Sequence, residues 1–194
     1  MSSSIMNESY DSSTSIGSDN EQEEFKTCQQ KQINLSEIIS TILNILIEDT
    51  HTNNEYSSII SKQSHSVFSM KAKPSISVSD FIKRLVNYSN VEYSTLISAV
   101  IYLDKILSKN LYLTEYNVHL LFSVCLLEAI KMNEDKIYSN SVYAKIFGIS
   151  LRKLNQIEYE FLVTMKFNLH IEEKDFETIN TQLLNYGYCT KMIS

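Results

Sequence analysis

The sequence is poor in the residues that make turns. Its 194 residues include three glycines and one proline, and tryptophan is absent. Barrels and sandwiches need turn residues about every 8–12 positions, so these folds are excluded. The glycines Gly17, Gly148 and Gly187 stand apart, so no GxGxxG or GxxxxGK[ST] phosphate-binding motif occurs. The composition therefore predicts an all-α protein and argues against a nucleotide-driven enzyme.

Basic residues are also scarce, since 17 Lys and Arg face 23 Asp and Glu, giving a net charge of −6. Nucleic-acid binding and basic amphipathic membrane binding both need clustered positive charge, and no such cluster occurs. The longest uncharged apolar stretch is about half of the roughly 20 residues that a spanning helix requires. The N-terminus has neither the basic region nor the apolar core of a signal peptide. We therefore expect no nucleic-acid partner, no membrane partner and no leader.

Cysteine and histidine are few and widely spaced. The three cysteines form no CxxC, and Cys125 lies in an apolar run, so we interpret it as a small core residue. The four histidines include no HExxH pair, and His119 lies on an apolar helix, where a core histidine is more common than a general base. We expect a non-catalytic protein with no metal or cofactor, in the reducing cytoplasm, the nucleus or both.

The N-terminal region differs in composition from the rest of the chain. Residues 1–34 hold eight serines in the first twenty positions, and six acids face two lysines. This region has too little apolar surface to offset the conformational entropy that ordering it would cost. We therefore predict that it is a disordered Ser-rich acidic tail. Apolar residues at helical spacing then predict an amphipathic helix over 35–48. A connector completes a flanking region over 35–73, because the only proline follows at 74.

Five consecutive helices are predicted within residues 78–166. Ser77 or Ser79 is expected to cap the first, Thr114 the third and Ser150 the fifth, and Gly148 to end the fourth. The second and third, over 92–108 and 114–131, are apolar on nearly every face, which is typical of helices at the centre of a bundle. A last helix over 173–185 brings the predicted total to seven.

The motifs of this block occur in a specific order and spacing. Five pieces carry the pattern: PSISxxDFxxR at 74–84, IYLDK at 101–105, LxLTxxNVHxL at 111–121, KMxED at 131–135 and YAKxxGISxxxLNxxExEFL at 143–162. With Phe167-Asn168-Leu169, they resemble the cyclin box, most closely that of the phosphate-regulon (P-type) cyclins of fungi and protozoa. The resemblance implies a five-helix cyclin box over 74–170 around a buried central helix, followed by a C-terminal helix and tail over 171–194.

The resemblance also implies a function. A cyclin is a regulatory subunit that binds and activates a cyclin-dependent protein kinase as a heterodimer, here in cell-cycle or nutrient (phosphate-type) signalling. It docks against the kinase's mobile helix and selects the active state. The alternative is a cyclin-box interaction module, such as a transcription-related adaptor, that activates no kinase.

Particular residues match positions with known roles in cyclins. Lys131 and Glu158 match the pair that hydrogen-bonds kinase backbone. Spacing alone favours the other interpretation, in which Lys131 is a lysine placed by the helix dipole in a last turn and Glu158 lies on a solvated helix face. Met132 and Phe167 match large apolar kinase contacts, with ordinary core packing as the alternative. Arg84, or Lys83 beside it, and Asp104 match an internal salt bridge between the first two box helices.

Three features depart from the cyclin pattern. Glu128 stands where cyclins carry a small or apolar residue, so we expect its carboxylate to face the docking surface and to require a basic kinase residue. The first box helix lacks the substrate-recruiting stretch of cell-cycle cyclins. About 25 residues follow the box, too few for a second one.

Overall fold

Eight helices build the described part of the chain. The computed structural model describes the backbone of residues 16–193, and the side chains of residues 26–187 except 28, 29 and 33. Within this range all regular structure is helical and no strand forms, which confirms the all-α prediction. In chain order the helices are α1 (Ile16–His51), α2 (Tyr56–Gln63), α3 (Val78–Ser89), α4 (Tyr93–Leu107), α5 (Val118–Asn133), α6 (Asn140–Phe147), α7 (Leu151–Thr164) and α8 (Glu173–Ile193).

Helix α5 is the centre of the fold. Every residue from Val118 to Ile130 is buried, as expected for a sequence that is apolar around the whole helix. Helices α3, α4 and α7 pack against it, and α4 shares the largest interface. Helix α1 packs against α3, α4 and α8. The core therefore holds the C-terminal end of α5 in place, and the chain leaves the core after it.

Three helix ends lie where predicted, two with a serine side-chain cap and one with a glycine. The Ser77 Oγ accepts from the Asp80 amide at 3.0 Å at the start of α3, and the Ser150 Oγ accepts from the Lys153 amide at 3.1 Å at the start of α7. Gly148, with a φ of 73°, ends α6 in the left-handed conformation that glycine adopts without steric cost.

The predicted cap of α5 is wrong. Thr114 was expected to start this helix, but Asn117 is the N-cap. The Asn117 Oδ1 accepts from the Thr114 amide at 2.8 Å, and its Nδ2 donates to the Tyr112 carbonyl at 2.8 Å. Asn117 thus closes a turn before the helix, because its short amide side chain competes well for nearby backbone groups.

Helix α1 crosses the boundary predicted between residues 34 and 35. Residues 16–34, assigned from composition to the disordered tail, are helical, while residues 1–15 lie outside the described part. Once a helix has nucleated, extending it costs little. A tertiary contact supports the extension, because the Gln32 Nε2 donates to the Val91 carbonyl at 2.6 Å.

Two further helical segments were not predicted. Helix α2 lies in the region taken as a connector, and helix α8 runs eight residues past the predicted end at residue 185. The sequence pattern does not identify α2, because this helix buries one apolar residue, Ile59, and so shows no apolar periodicity. The Tyr56 hydroxyl at its start donates to the Glu115 carboxylate at 3.1 Å, a contact across 59 residues of sequence.

The predicted salt bridge between Arg84 and Asp104 does not form. The Arg84 guanidinium donates to the Lys145 carbonyl at 3.0 Å, in the last turn of α6, where the helix dipole places partial negative charge. Asp104 is exposed, and no ion pair joins it to Arg84 within the described residues. Lys83, the other residue considered, approaches Glu37 at 3.9 Å. An exposed carboxylate gains little from such pairing, since water screens it.

Tyr102 offers a test of the packing between α4 and the chain after α7. It is 1% exposed, and its hydroxyl donates to the Leu169 carbonyl at 2.8 Å. We expect Tyr102→Phe to lower the free energy of unfolding by about 1–3 kcal/mol, because it leaves that carbonyl without its donor. Urea denaturation measures the change. Tyr88→Phe is the matched control, since Tyr88 is 68% exposed, and an equal effect of both variants would contradict the expectation.

Candidate protein-binding site

Lys131 and Glu158 come together where α5 leaves the core. Lys131 lies in the last turn of α5 and Glu158 in the middle of α7. The Lys131 Nζ donates to the Glu158 Oε1 at 2.6 Å. The two side chains keep 27% and 18% of their surface exposed. The pair predicted from the sequence is therefore formed within the chain and remains reachable from outside.

Asn140 holds the second oxygen of Glu158. Its Nδ2 donates to the Glu158 Oε2 at 2.6 Å and to the Asn155 Oδ1 at 2.9 Å. Asn140 is the first residue of α6, so it joins α6 to α7 beside the ion pair. A charge-assisted hydrogen bond to each oxygen fixes the orientation of the Glu158 carboxylate. Nothing in the sequence distinguishes Asn140, since an Asn at a helix start is typical of an ordinary cap.

Glu128 is buried one turn before Lys131, which corrects the expectation that its carboxylate faces the docking surface. The residue is 3% exposed, and its Oε1 has no hydrogen-bond partner among the described residues. The i, i+3 spacing places it on the same helix face as Lys131. Burial raises the pKa of the Glu128 carboxyl to about 7; the Glu158 charge adds to this rise and Lys131 opposes it. The cluster thus holds one cation and two carboxyl groups.

Met132 and Phe167 are exposed, so the core-packing interpretation is wrong for both. They are 56% and 66% exposed, respectively. Phe167 follows the end of α7, and it and Lys166 have positive φ values of 56° and 54°. Left-handed backbone is uncommon for a bulky residue and costs on the order of 1–3 kcal/mol. The chain therefore holds Phe167 at the surface in a strained conformation.

Further apolar side chains are exposed on the same elements. They belong to the segment after α5, the start of α6 and the outer face of α7: Ile137, Tyr138, Val142, Tyr159 and Val163. With Met132, Phe167, Lys131 and Glu158 they form what we term the α5–α7 surface. Several exposed apolar side chains on the elements that carry a partly buried charged pair have the composition typical of a protein-binding surface.

Cys125 and His119 lie in the core, as predicted. Cys125 is fully buried, and burial raises the pKa of its thiol well above its usual value. His119 is 6% exposed, with its ring 4.7 Å from that of Phe81. Burial lowers the pKa of the His119 imidazole, and the Ile76 backbone raises it by a smaller amount. These environments suit inert core residues.

The described residues form an all-helical fold with exposed apolar side chains on the elements that carry the ion pair, and comparisons with known proteins identify the family. The family model for cyclins matches residues 9–169. Cyclin-U4-3 of Arabidopsis thaliana is 35% identical over 76% of this chain and 69% of its own length. The PHO85 cyclin-like protein psl1 of Schizosaccharomyces pombe is 33% identical, over 62% and 51% respectively. Cyclin-P4-1 of rice is 34% identical, over 57% and 53%.

The chain therefore belongs to the cyclin family, which confirms the resemblance read from its motifs. Its relatives of the U and P types come from plants, and another comes from fission yeast. Between residues 16 and 193, no helix combines the length and apolar character that crossing a membrane requires.

The buried Glu128 carboxyl should make stability depend on pH. Its folded-state pKa of about 7 lies above the ordinary 4.5, so the folded chain binds more protons than the unfolded chain between these values. The group therefore destabilises the fold as pH rises from about 4.5 to 7, and the whole cost is present above 7. We expect Glu128→Gln to raise the free energy of unfolding by up to about 3 kcal/mol at pH 8.

At pH 5 the same substitution should have a much smaller effect, because Glu128 is then protonated in the folded chain. Urea denaturation of both proteins at pH 5 and pH 8 measures the difference. Glu177→Gln removes an exposed carboxylate of α8 and serves as the control. A lower stability of Glu128→Gln at pH 8 would contradict the expectation.

Proposed function

We propose that this protein binds and activates a cyclin-dependent protein kinase as its regulatory subunit. The observation that carries the proposal is the Lys131–Glu158 pair, held at 2.6 Å on a surface rich in exposed apolar side chains. Family membership supports it, and so does the name of the fission-yeast relative, a PHO85 cyclin-like protein. We place the kinase complex in cell-cycle or nutrient signalling, in the cytoplasm, the nucleus or both.

The chemistry of the surface suits the mobile helix of a kinase. Lys131 can donate to backbone carbonyls and Glu158 can accept from backbone amides, and partly desolvated charges fix orientation strongly. Met132 and Phe167 supply exposed apolar area that the kinase can bury. Holding the mobile helix inward keeps the kinase's Lys–Glu ion pair together, so the cyclin selects an active state and contributes no catalytic group.

A double substitution tests the assigned interface. We expect Lys131→Ala/Glu158→Ala to reduce co-purification with a cyclin-dependent kinase at least tenfold, as is typical when a buried interfacial pair is removed. Lys174→Ala/Glu172→Ala is the matched control, because it removes an exposed pair joined at 2.7 Å. Binding of the first variant at the wild-type level would exclude this interface.

Kinase activity of the reconstituted complex separates the proposal from its alternative. Phosphorylation of a peptide substrate should rise when the wild-type chain is added to the inactive kinase. Normal binding without any rise in activity would favour an interaction module that activates no kinase.

The exposed apolar residues give a second test. We expect Met132→Ser and Phe167→Ser to weaken kinase binding severalfold each, because exposed apolar anchors gain their energy on being buried by the partner. Their melting temperatures should stay near that of the wild type, since neither side chain is in the core. Tyr88→Ser, on the 68% exposed Tyr88 of α3, should leave binding unchanged. Loss of folding without loss of affinity in the folded fraction would contradict this role.

A further inference from the structure

Two stretches of the sequence contain no aspartate or glutamate, and the fold brings them into contact. They are residues 56–79 and 136–157. The Lys153 ammonium, in the first turn of α7, donates to the Val67 carbonyl in the connector between α2 and α3. The Arg84 guanidinium of α3 lies against Gly148, between α6 and α7, since a Cβ there would be 3.7 Å from the Arg84 Nη1. Basic side chains that are far apart in the sequence therefore gather around the junction of α6 and α7.

We term these side chains the basic patch. Four belong to the junction and two follow Val67 in the connector; they are Arg84, Lys145, Arg152 and Lys153, with Lys71 and Lys73. All are exposed except Arg84 and Lys153, which are half-buried. Among the described residues, none of the six takes part in an ion pair. In a chain of net charge −6, the patch is a local reversal of charge.

Few carboxylates lie on the elements that carry the patch. The connector and α6 have none, and α3 and α7 together have three: Asp80, Glu158 and Glu160. Glu158 is already paired with Lys131 at 2.6 Å. Glu115, beside the residue whose carbonyl binds the connector backbone, is held by His51 at 2.9 Å. The six cations of the patch therefore outnumber the two carboxylates left to offset them.

Two of the cations are held in place by neutral groups. The Arg84 Nη2 donates to the Lys145 carbonyl at 3.0 Å, and Lys153 donates to the Val67 carbonyl. A carbonyl orients a cation without cancelling its charge, and both side chains have further N–H donors. Burial lowers the pKa of the Lys153 ammonium, and a bound anion would offset this cost of its charge. A partner with acidic oxygens thus meets cations that are already ordered.

We infer that the basic patch is a second docking surface, which binds an aspartate- and glutamate-rich segment of a partner protein. Leu151, which precedes Arg152 and is 42% exposed, supplies an apolar contact to such a segment. The cations come from four elements (α3, α6, α7 and the connector), so they suit a run of carboxylates better than one phosphate group. Nucleic acid fits less well, because its affinity grows with the number of phosphates neutralised and the rest of the chain is acidic.

The test is a fluorescence anisotropy titration of a labelled peptide, made of Asp and Glu around one Leu, with the full chain. We expect a Kd below about 1 mM at low salt, and severalfold weaker binding at 200 mM salt, because salt screens exposed charges. Lys145→Glu/Arg152→Glu reverses two exposed charges of the patch and should weaken binding at least tenfold.

Two control variants locate the effect. Lys31→Glu/Lys109→Glu makes the same change in net charge at exposed positions on α1 and after α4, and should bind the peptide as the wild type does. Lys131→Ala/Glu158→Ala should also bind it normally. This inference does not rest on the proposed function, since the titration needs no kinase, so either proposal can fail without the other.

Several results would overturn the inference. They are no salt-sensitive binding by the wild type, an equal loss in the patch and Lys31/Lys109 variants, or tighter binding of a singly phosphorylated peptide without acidic residues. Tighter binding of single-stranded RNA would do the same, because it assigns the patch to another ligand. Thermal melting checks that each variant folds, and Lys71→Glu/Lys73→Glu, on the exposed connector, replaces a patch variant that does not.

Discussion

The burial of α5 from Val118 to Ile130 is the constraint on which the rest of the structure depends. A helix that is apolar on all sides must be surrounded, and α3, α4 and α7 accordingly pack around it. The burial ends abruptly, since Ile130 is 1% exposed and the next side chain, Lys131, is 27% exposed. A helix held on every side cannot rotate or slide, so the position of Lys131 is set by the core rather than by the surface around it.

The sequence predicted the parts of the fold that rest on periodic or local signals. The apolar character of α4 and α5, the serine caps at Ser77 and Ser150 and the glycine at the end of α6 each act over a few residues, so they are visible without tertiary information. The motif pattern also indicated that Lys131 and Glu158, which are 27 residues apart in the sequence, form a pair. Two kinds of contact were not visible. The local hydrogen bond between the Asn117 side chain and the Thr114 amide competes with the predicted cap and sets the start of α5. The bond from Tyr56 of α2 to Glu115 joins residues 59 apart in the sequence.

The errors about side-chain direction share one physical origin. Spacing along a helix fixes relative angles, but the absolute orientation depends on which neighbours pack against it. Glu128 and Lys131 lie on the same helix face, yet one is buried and the other half-exposed, because the first lies within the bundle and the second at its end. Arg84 likewise donates to the carbonyl end of α6 instead of to Asp104, since the partial negative charge of a helix C-terminus is a suitable acceptor and an exposed ion pair with Asp104 would gain little.

In the proposed kinase complex, preorganisation of the charged side chains decides how the α5–α7 surface binds. In the free chain both oxygens of Glu158 are already engaged, by Lys131 and Asn140, so a partner exchanges polar contacts there rather than adding them. Net affinity must then come from burying Met132, Phe167 and their apolar neighbours, while the ordered charges determine orientation and exclude mismatched partners. Because these charges are held in place before docking, little side-chain entropy is lost on binding, and a small polar cluster can discriminate among partners with similar apolar surfaces.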